Sequence, residues 1–174
     1  MTGDLSSPPE LLFDFSVPET VQRFAAVDDR IMGGVSRSAL RASSGIAVFE
    51  GELSLEQNGG FASVRSDAAS VDLSESVGIA LRVRGDGRTY KLRMRTDARF
   101  DGVSYQASFP TSPGAWTMVH LPFEVFRPTY RGQFRSDADP FDPAKVMSFG
   151  LLVAGEQVGA FRLEIGWIRA LSEL

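Results

Sequence analysis

Apolar residues recur at every second position through much of this sequence, and turn residues interrupt them at short intervals. In the clearest segment the alternating apolar residues are Val77, Ile79, Leu81 and Val83. Successive side chains of a strand point to opposite faces, so this spacing is typical of strands with one buried face. The turns between such segments include Asn58-Gly59-Gly60, Gly85-Asp86-Gly87 and Asp101-Gly102. The pattern predicts an all-β fold, an antiparallel β-sandwich or a closed barrel, with few short helical turns.

The length and the patterning together predict one domain. The chain has 174 residues, which suits a single domain of ordinary size. Residues 1–10 carry no apolar alternation, and we expect a disordered lead there, followed by one domain over residues 11–174. Residues 127–143 also lack a clear periodicity, which predicts a long loop. Loops of this length are often functional or mobile.

The first residues and the cysteine count bear on location. Residues 1–9 resemble neither a secretory signal nor an arginine-rich transit peptide. No apolar run approaches the roughly 18 residues of a membrane-spanning helix. The chain has no cysteine, which fits a reducing compartment. We therefore predict a cytoplasmic protein without a membrane span.

The same counts restrict the chemistry. Without cysteine there is no thiolate nucleophile, iron–sulfur cluster or cysteine-based zinc site. The single histidine, His120, is the one residue that could serve in a Ser-His-Asp triad. A lone histidine on a strand is more often structural than catalytic. We therefore predict a binding protein rather than an enzyme, with no catalytic residues, no metal and no cofactor.

The basic residues are unevenly composed, since sixteen of the eighteen are arginine. A guanidinium group is a permanently charged fork of donors that suits carboxylates and phosphates. The Gly85-Asp86-Gly87 turn predicts a hairpin with its apolar residues facing the core. The opposite face of the two paired strands would then carry five cations, Arg82, Arg84, Lys91, Arg93 and Arg95.

Like charges on paired strands repel one another, so something must neutralise this predicted arginine face. One interpretation is a solvated sheet face with cross-strand ion pairs, for which Glu164 is an internal partner. The other is a binding face for an acidic, phosphorylated or polyhydroxylated partner. Nucleic acid is not expected, because the formal net charge is -4 and no recognition helix is evident. The predicted binding residues on this face are Arg82, Arg84, Arg93 and Arg95, with Gln106 and Tyr105 nearby, although Tyr105 has the inward parity.

Two segments are candidates for the rim of that site, residues 28–34 and residues 127–132. Adjacent carboxylates in the first could bind a hard cation or cap a turn, and two are too few to predict a calcium site. Glycine pairs permit positive φ or the close approach of another chain. The rim candidates are Asp28, Asp29, Arg30 and Arg131, and the motif glycines are Gly33, Gly34, Gly59 and Gly60.

Trp116 shares one face of its predicted strand with Met118 and His120. We interpret Trp116 mainly as a core residue. The alternative is an aromatic ring that stacks on a ligand, as sugar-binding sites require.

The ordered set of motifs resembles the complex I intermediate-associated protein family. The matching stretches are VDDRIMGGVSRS at 27–38, FEGELSL at 49–55, NGGFASVR at 58–65, GDGRTYKLR at 85–93, residues 105–106, Trp116 with LPF at 121–123, FRPTYRG at 126–132 and FRLEIGWI at 161–168. Each stretch is weak alone, whereas the ordered set is specific and spans about residues 11–171.

The resemblance implies a galactose-binding-domain-like jelly roll, similar to many carbohydrate-binding modules. It also implies an assembly factor or chaperone, since mitochondrial members help to assemble respiratory complex I and are not known as enzymes. Related domains in photosynthetic organisms occur in photosystem assembly factors. We accordingly predict a non-catalytic protein-interaction module whose partners are subunits of an assembling complex. The alternatives are a carbohydrate-binding module that takes a glycan and, less favoured, a hydrolase.

Overall fold

The computed structural model describes residues 10–29, 33–58 and 60–174. Within these ranges the backbone forms thirteen strands and a few short 3-10 turns. The strands are β1 (Leu11–Asp14), β2 (Phe24–Ala26), β3 (Arg37–Ser43), β4 (Ile46–Leu53), β5 (Phe61–Ser66), β6 (Gly78–Arg84), β7 (Thr89–Arg95), β8 (Ser104–Pro110), β9 (Trp116–Pro122), β10 (Arg127–Tyr130), β11 (Gln133–Phe134), β12 (Ser148–Ala154) and β13 (Gly159–Leu171). The turns are Pro18–Arg23, Glu56–Asn58, Phe123–Val125 and Pro143–Lys145. In the described part of the chain, no helix is long and apolar enough to cross a membrane.

The strands are arranged in two antiparallel sheets. The six-stranded sheet has the order β3-β4-β13-β6-β9, with β1 also paired to β13. The seven-stranded sheet has the order β11-β10-β8-β7-β12-β5-β2. The two sheets pack face to face around one core, which confirms the predicted all-β jelly-roll sandwich.

The core is built from the alternating residues that the sequence singles out. Leu81 of β6 and Leu92 of β7 are fully buried, although they belong to different sheets. Aromatic rings join the two layers: the ring of Tyr90 on β7 lies 6.3 Å from that of Phe49 on β4 and 6.5 Å from that of Phe161 on β13. Period two therefore predicts the core-facing side chains of β6 and β7, whereas most residues of the central strand β12 are buried on both faces.

The predicted pairing of β6 with β7 is wrong. β6 pairs with β13 and β9, whereas β7 pairs with β12 and β8. The Gly85-Asp86-Gly87 segment is a corner that carries the chain from one sheet to the other. The Asp86 carboxylate fixes this corner, because it accepts hydrogen bonds from the Arg162 backbone N–H in one sheet (2.9 Å) and the Tyr90 hydroxyl in the other (3.0 Å).

The expectation of a long loop over residues 127–143 is also wrong in part. Its first residues form β10 and β11, joined by a tight turn in which Arg131 and Gly132 have positive φ. Phe141 then returns to the core and packs on Tyr105, with ring centroids 5.3 Å apart. The predicted disordered lead lies outside the described residues, apart from Glu10, whose carbonyl accepts a hydrogen bond from the Ala170 N–H.

Candidate functional site

The predicted arginine face does not exist as one surface. Arg82 and Arg84 lie on the outer face of the six-stranded sheet, whereas Lys91, Arg93 and Arg95 lie on the outer face of the seven-stranded sheet. The two groups point in opposite directions because the corner at Asp86 places β6 and β7 in different sheets. Each outer face must therefore be examined separately.

On the six-stranded sheet two glutamates pair with three of the arginines. Glu164 binds Arg84 and also Arg162, at 3.1 Å, and Arg162 extends to Glu50 at 3.1 Å. Arg41 completes this series of ion pairs, because its Nε lies 2.5 Å from Oε1 of Glu50. The hydrogen bond from Arg84 is the largest influence that lowers the pKa of Glu164. Glu164 thus neutralises Arg84, as one interpretation of the sequence anticipates, and it belongs to a network with Arg162, Glu50 and Arg41.

Trp116 lies on this outer face rather than in the core. Its ring stacks beneath two guanidinium groups, 4.8 Å from that of Arg82 and 5.1 Å from that of Arg84. The interpretation of Trp116 as a core residue is therefore wrong, because its strand β9 is an edge strand whose alternate positions face solvent. Met118 and His120 share that face and are exposed.

On the seven-stranded sheet the cations form a row across the strands. Register places Arg93 of β7 opposite Gln106 of β8 on one side and Gly150 of β12 on the other. Gly150 is in turn opposite Arg65 of β5, and Arg127 of β10 is opposite Gln106. The Arg93 Nε donates to Gln106 Oε1 at 3.2 Å, a neutral partner.

Arg65, Arg93 and Arg95 border a small depression in this face, which we call the arginine pocket. The Arg95 Nη1 donates to the Gly102 carbonyl at 2.9 Å, and the Arg65 Nη1 donates to the Phe100 carbonyl at 2.9 Å. Both carbonyls belong to the β7–β8 loop, which folds across the sheet and places the Phe100 ring 5.0 Å from the Arg65 guanidinium. Among the described residues, no ion pair joins these three arginines to a carboxylate.

The pocket is electrostatically unfavourable as it stands. Burial, together with the charges of Arg95 and Arg65, lowers the pKa of Arg93 to about 10. Burial and the charge of Arg65 likewise lower the pKa of Arg95 to about 10, although Asp97 and Asp101 oppose the shift. Burial also lowers the pKa of Arg65. All three groups are protonated at neutral pH, so this face holds three crowded positive charges that an anion would stabilise.

The structure brings together some of the predicted site residues and separates others. Gln106 contacts Arg93, whereas Tyr105 is 4% exposed and donates its hydroxyl to the Asp139 carbonyl at 2.6 Å on the core side. Arg131 is exposed and pairs with Asp101 of the β7–β8 loop at 2.7 Å. Arg65 is a site residue that the predicted hairpin missed. Its alternation with Ala62 and Val64 marks it as outward-facing, but sequence could not show that β5 lies beside β12.

The acidic pair of the 28–34 segment is structural. Asp29 is fully buried and accepts hydrogen bonds from the Ser36 N–H (2.9 Å) and the Gly60 N–H (2.7 Å), as well as from the Ser36 hydroxyl (2.5 Å). Asp28 is bonded in the same manner to Ser38 and to the Ser63 N–H. These donors occupy the carboxylate oxygens that a cation would need.

The structural role of the pair extends to its glycines. Burial alone would raise the pKa of Asp29, but the hydrogen bonds outweigh it and the pKa is lowered. Gly33 and Gly60 have positive φ, and the Gly34 N–H donates to the Asp29 carbonyl. Arg30 and Gly59 lie outside the described residues. Across the described ranges, no group of three or more His, Asp or Glu side chains could hold a metal ion.

Sequence comparison places the chain among a set of related proteins. The family model described as complex I intermediate-associated protein 30 matches residues 13–165. A Schizosaccharomyces pombe protein described as uncharacterised is 31% identical over 92% of this chain and 84% of its own length. The mitochondrial complex I intermediate-associated protein 30 of Drosophila melanogaster is 23% identical over 91% of this chain, and that of Mus musculus is 28% identical over 94%. The chain spans only 62% of the Drosophila protein and 56% of the Mus protein.

Structural comparison finds the same fold in sugar-binding modules. The family 11 carbohydrate-binding module of a Clostridium thermocellum cellulase superposes with a TM-score of 0.73, over 95% of both chains. The same kind of module in complex with a mixed-linked tetrasaccharide gives a TM-score of 0.74, over 95% of this chain and 96% of that one. The sequence identity is 15% in both cases, so these similarities establish the fold alone.

The predicted cytoplasmic location is wrong. The Drosophila and Mus relatives are named as mitochondrial proteins, which points away from the cytoplasm. The prediction depended in part on the absence of cysteine, which fits any reducing compartment and does not identify the cytoplasm.

Proposed function

Because the chain belongs to the complex I intermediate-associated protein 30 family, we propose that it is a non-catalytic binding module that assists the assembly of respiratory complex I. Its direct partner on this proposal is a subunit of an assembly intermediate that presents negative charge. The Drosophila and Mus relatives are named complex I intermediate-associated protein 30, and their mitochondrial location fits the proposed role.

The observation that carries the proposal beyond the family is the contrast between the two outer faces. On one face Glu164 and Glu50 pair with Arg41, Arg84 and Arg162, whereas within the described structure no ion pair joins the three arginines of the pocket on the other face to a carboxylate. Crowded charges that cost stability are typical of sites that bind something. A partner with an acidic or phosphorylated group would supply the missing charge.

The positions of the other titratable groups support a binding role over a hydrolytic one. His120 is exposed on edge strand β9, opposite Ala80 of β6. Asp28 and Asp29 are buried with their oxygens occupied by backbone and serine donors. A hydrolase needs acids and a base that converge on one pocket, and these groups lie apart.

The test is affinity purification of the tagged protein from its host cells. Wild type is expected to co-purify complex I subunits, and the double variant Arg93→Glu, Arg95→Glu is expected to lose them, because the charge of the pocket is reversed. The matched control is Arg82→Glu on the other sheet, which should keep them. If wild type returns no complex I subunit and assembly proceeds normally in cells that lack the protein, the proposed function is wrong. Retention of the subunits by the double variant would instead exclude the pocket as the contact.

Carbohydrate binding is the second candidate, and one residue favours it. Phe100 is 59% exposed and lies over Arg65 at the edge of the pocket, where an aromatic ring could stack on a sugar. A glycan array would distinguish the two functions. Binding that is lost in Phe100→Ala and kept in the exposed-phenylalanine control Phe134→Ala would favour the sugar-binding function.

A further inference from the structure

We propose that the arginine pocket binds a tetrahedral oxyanion, a phosphate or sulfate group, through Arg65, Arg93 and Arg95. This inference deepens the proposed function and rests on it only for the partner that would carry the group. Binding of the free ion is a property of the isolated protein. The phosphate could belong to the partner or be inorganic phosphate, and the experiments below separate these sources.

The strand register creates the pocket. Arg93 on β7 and Arg65 on β5 flank the central strand β12 at the same level, and the residue between them is Gly150. A Cβ atom at position 150 would lie 3.7 Å from the Arg93 Cβ and 3.0 Å from the Val64 carbonyl oxygen. The absence of a side chain there leaves room between the two guanidinium groups. Arg95 lies two residues further along β7, opposite Ser148 of β12.

The three guanidinium groups keep donors for a ligand. A guanidinium group has five N–H bonds. Within the described structure Arg93 donates to Gln106, Arg95 to the Gly102 carbonyl and Arg65 to the Phe100 carbonyl. These single bonds hold the side chains in place and leave the other N–H groups of each guanidinium without a protein acceptor in the described structure. Fixed donors of this kind bind an oxyanion with little loss of side-chain freedom.

The charge of the pocket favours a multiply charged ion. Three guanidinium groups meet there. The negative charges that act to raise the pKa of Arg95 are those of Asp97 and Asp101. Asp101 is already paired with Arg131 at 2.7 Å. A single carboxylate would offset one of the three charges, whereas a phosphate or sulfate group carries up to two charges and several acceptor oxygens. The pocket should therefore prefer phosphate or sulfate to acetate.

The size of the depression sets how the ion would sit. Its volume of about 10 Å³ is room for one water-sized group. One oxygen of the oxyanion would enter it, and the remainder would project towards solvent. This position suits a group that is attached to a larger partner, and it is too small for a buried sugar ring.

The first experiment measures thermal unfolding of the purified protein with millimolar phosphate, sulfate, acetate or chloride at constant ionic strength. We expect a saturable rise in Tm with phosphate and sulfate, and a much smaller rise with acetate. Phosphate and sulfate also stabilise proteins in general by exclusion from their surface. The variants Arg93→Gln and Arg65→Gln are therefore compared with Arg82→Gln on the opposite sheet.

The expected result is at least a tenfold weaker phosphate affinity in Arg93→Gln and in Arg65→Gln, with wild-type affinity in Arg82→Gln. Asp101→Asn should bind more tightly than wild type, because a negative charge near Arg65 and Arg95 is removed. Amide resonances of Ser148 and Gly150 should shift on titration. An equal response of wild type, Arg93→Gln and Arg82→Gln would overturn the proposal.

The outcomes separate this inference from the proposed function. If the ion binds but no complex I subunit co-purifies, the inference stands and the proposed function fails; the converse result refutes only the inference. Phosphatase treatment of the extract before purification identifies the source of the group. Loss of the partner after treatment would place the phosphate on the partner, and an unaffected partner would assign the site to inorganic phosphate.

Discussion

Arg93 shows how the neighbours of one side chain determine its role. On the six-stranded sheet a similar residue, Arg84, faces Glu164, and its pKa is raised by that hydrogen bond. Arg93 faces Gln106, Arg95 and Arg65 instead, and its pKa is lowered to about 10. Both arginines alternate with buried apolar residues along their strands. The sequence therefore predicts correctly that each lies on an outer face of the sandwich. The sequence names both Glu164 and Gln106 as neighbours of one arginine face, but it could not assign each to its own sheet, because that depends on the corner at Asp86.

The cost of this crowding can be measured at the same residue. Arg93→Met keeps the length of the side chain and removes its charge, so repulsion from Arg65 and Arg95 is relieved. In chloride buffer without phosphate or sulfate we expect the free energy of unfolding to rise by about 1 kcal/mol. Urea denaturation measures it, with Arg162→Met, which breaks ion pairs to Glu50 and Glu164, as the contrasting variant. A loss of stability in Arg93→Met would mean that this arginine serves the fold.

Strands were predictable from alternation, but their pairing was not. A short glycine turn between two strands usually indicates a hairpin, and the Gly85-Asp86-Gly87 segment matches that pattern. The structure forms a corner there because Asp86 bonds the Arg162 backbone, which is 76 residues away. β10 and β11 were missed for the opposite reason: they are only four and two residues long, too short to show a period.

The pairing of β3 with β4 provides a test at the level of the element. Gly51 lies opposite Ser38, and a Cβ atom on Gly51 would lie 1.9 Å from the Arg37 carbonyl oxygen. Gly51→Ala should therefore separate the two strands and lower the free energy of unfolding by about 3 kcal/mol. Gly166→Ala on β13 is the control, because its nearest neighbour is the flexible Arg82 side chain at 3.6 Å. Chemical denaturation that finds the two variants equally stable would show that β3 moves aside without cost.

The two sheets are joined by carboxylates, one buried and one half-buried, as well as by the core. Asp29 is bonded to Ser36, just before β3 of the six-stranded sheet, and to Gly60, just before β5 of the seven-stranded sheet. Asp86 joins β13 to β7 through Arg162 and Tyr90. For both, burial favours a raised pKa, but hydrogen bonds from the neighbouring donors outweigh it and the pKa is lowered. The motif of adjacent aspartates therefore marks a joint between layers, which sequence alone could not distinguish from a cation site.

Acid should loosen this joint. The native pKa values of Asp29 and Asp86 lie below the unfolded ones, so in that pH window the unfolded state binds more protons than the native state, and a falling pH favours unfolding. Their contribution is complete above about pH 4 and is lost as the pH drops through the native pKa values. Urea titrations between pH 2 and 7 are expected to show this loss. Asp29→Asn should cost about 2 kcal/mol at pH 7 and flatten the profile.

A surface aspartate gives the matched control for the acid titration. Asp137 pairs only with the neighbouring Arg135 in the described structure, and its side chain is 71% exposed. Asp137→Asn should leave both the stability at pH 7 and the shape of the profile close to wild type. A steep acid profile that persists unchanged in Asp29→Asn would assign the transition to other carboxylates.

The corner at Asp86, by sending β6 and β7 to different sheets, turns the arginine pocket and the Arg82–Trp116 stack back to back. Sheets in a sandwich are about 10 Å apart, so the two outer surfaces are separated by at least that distance. A substitution on one outer face therefore leaves the donors on the other face in place. The Arg82 variants share the fold of the pocket variants without sharing their surface.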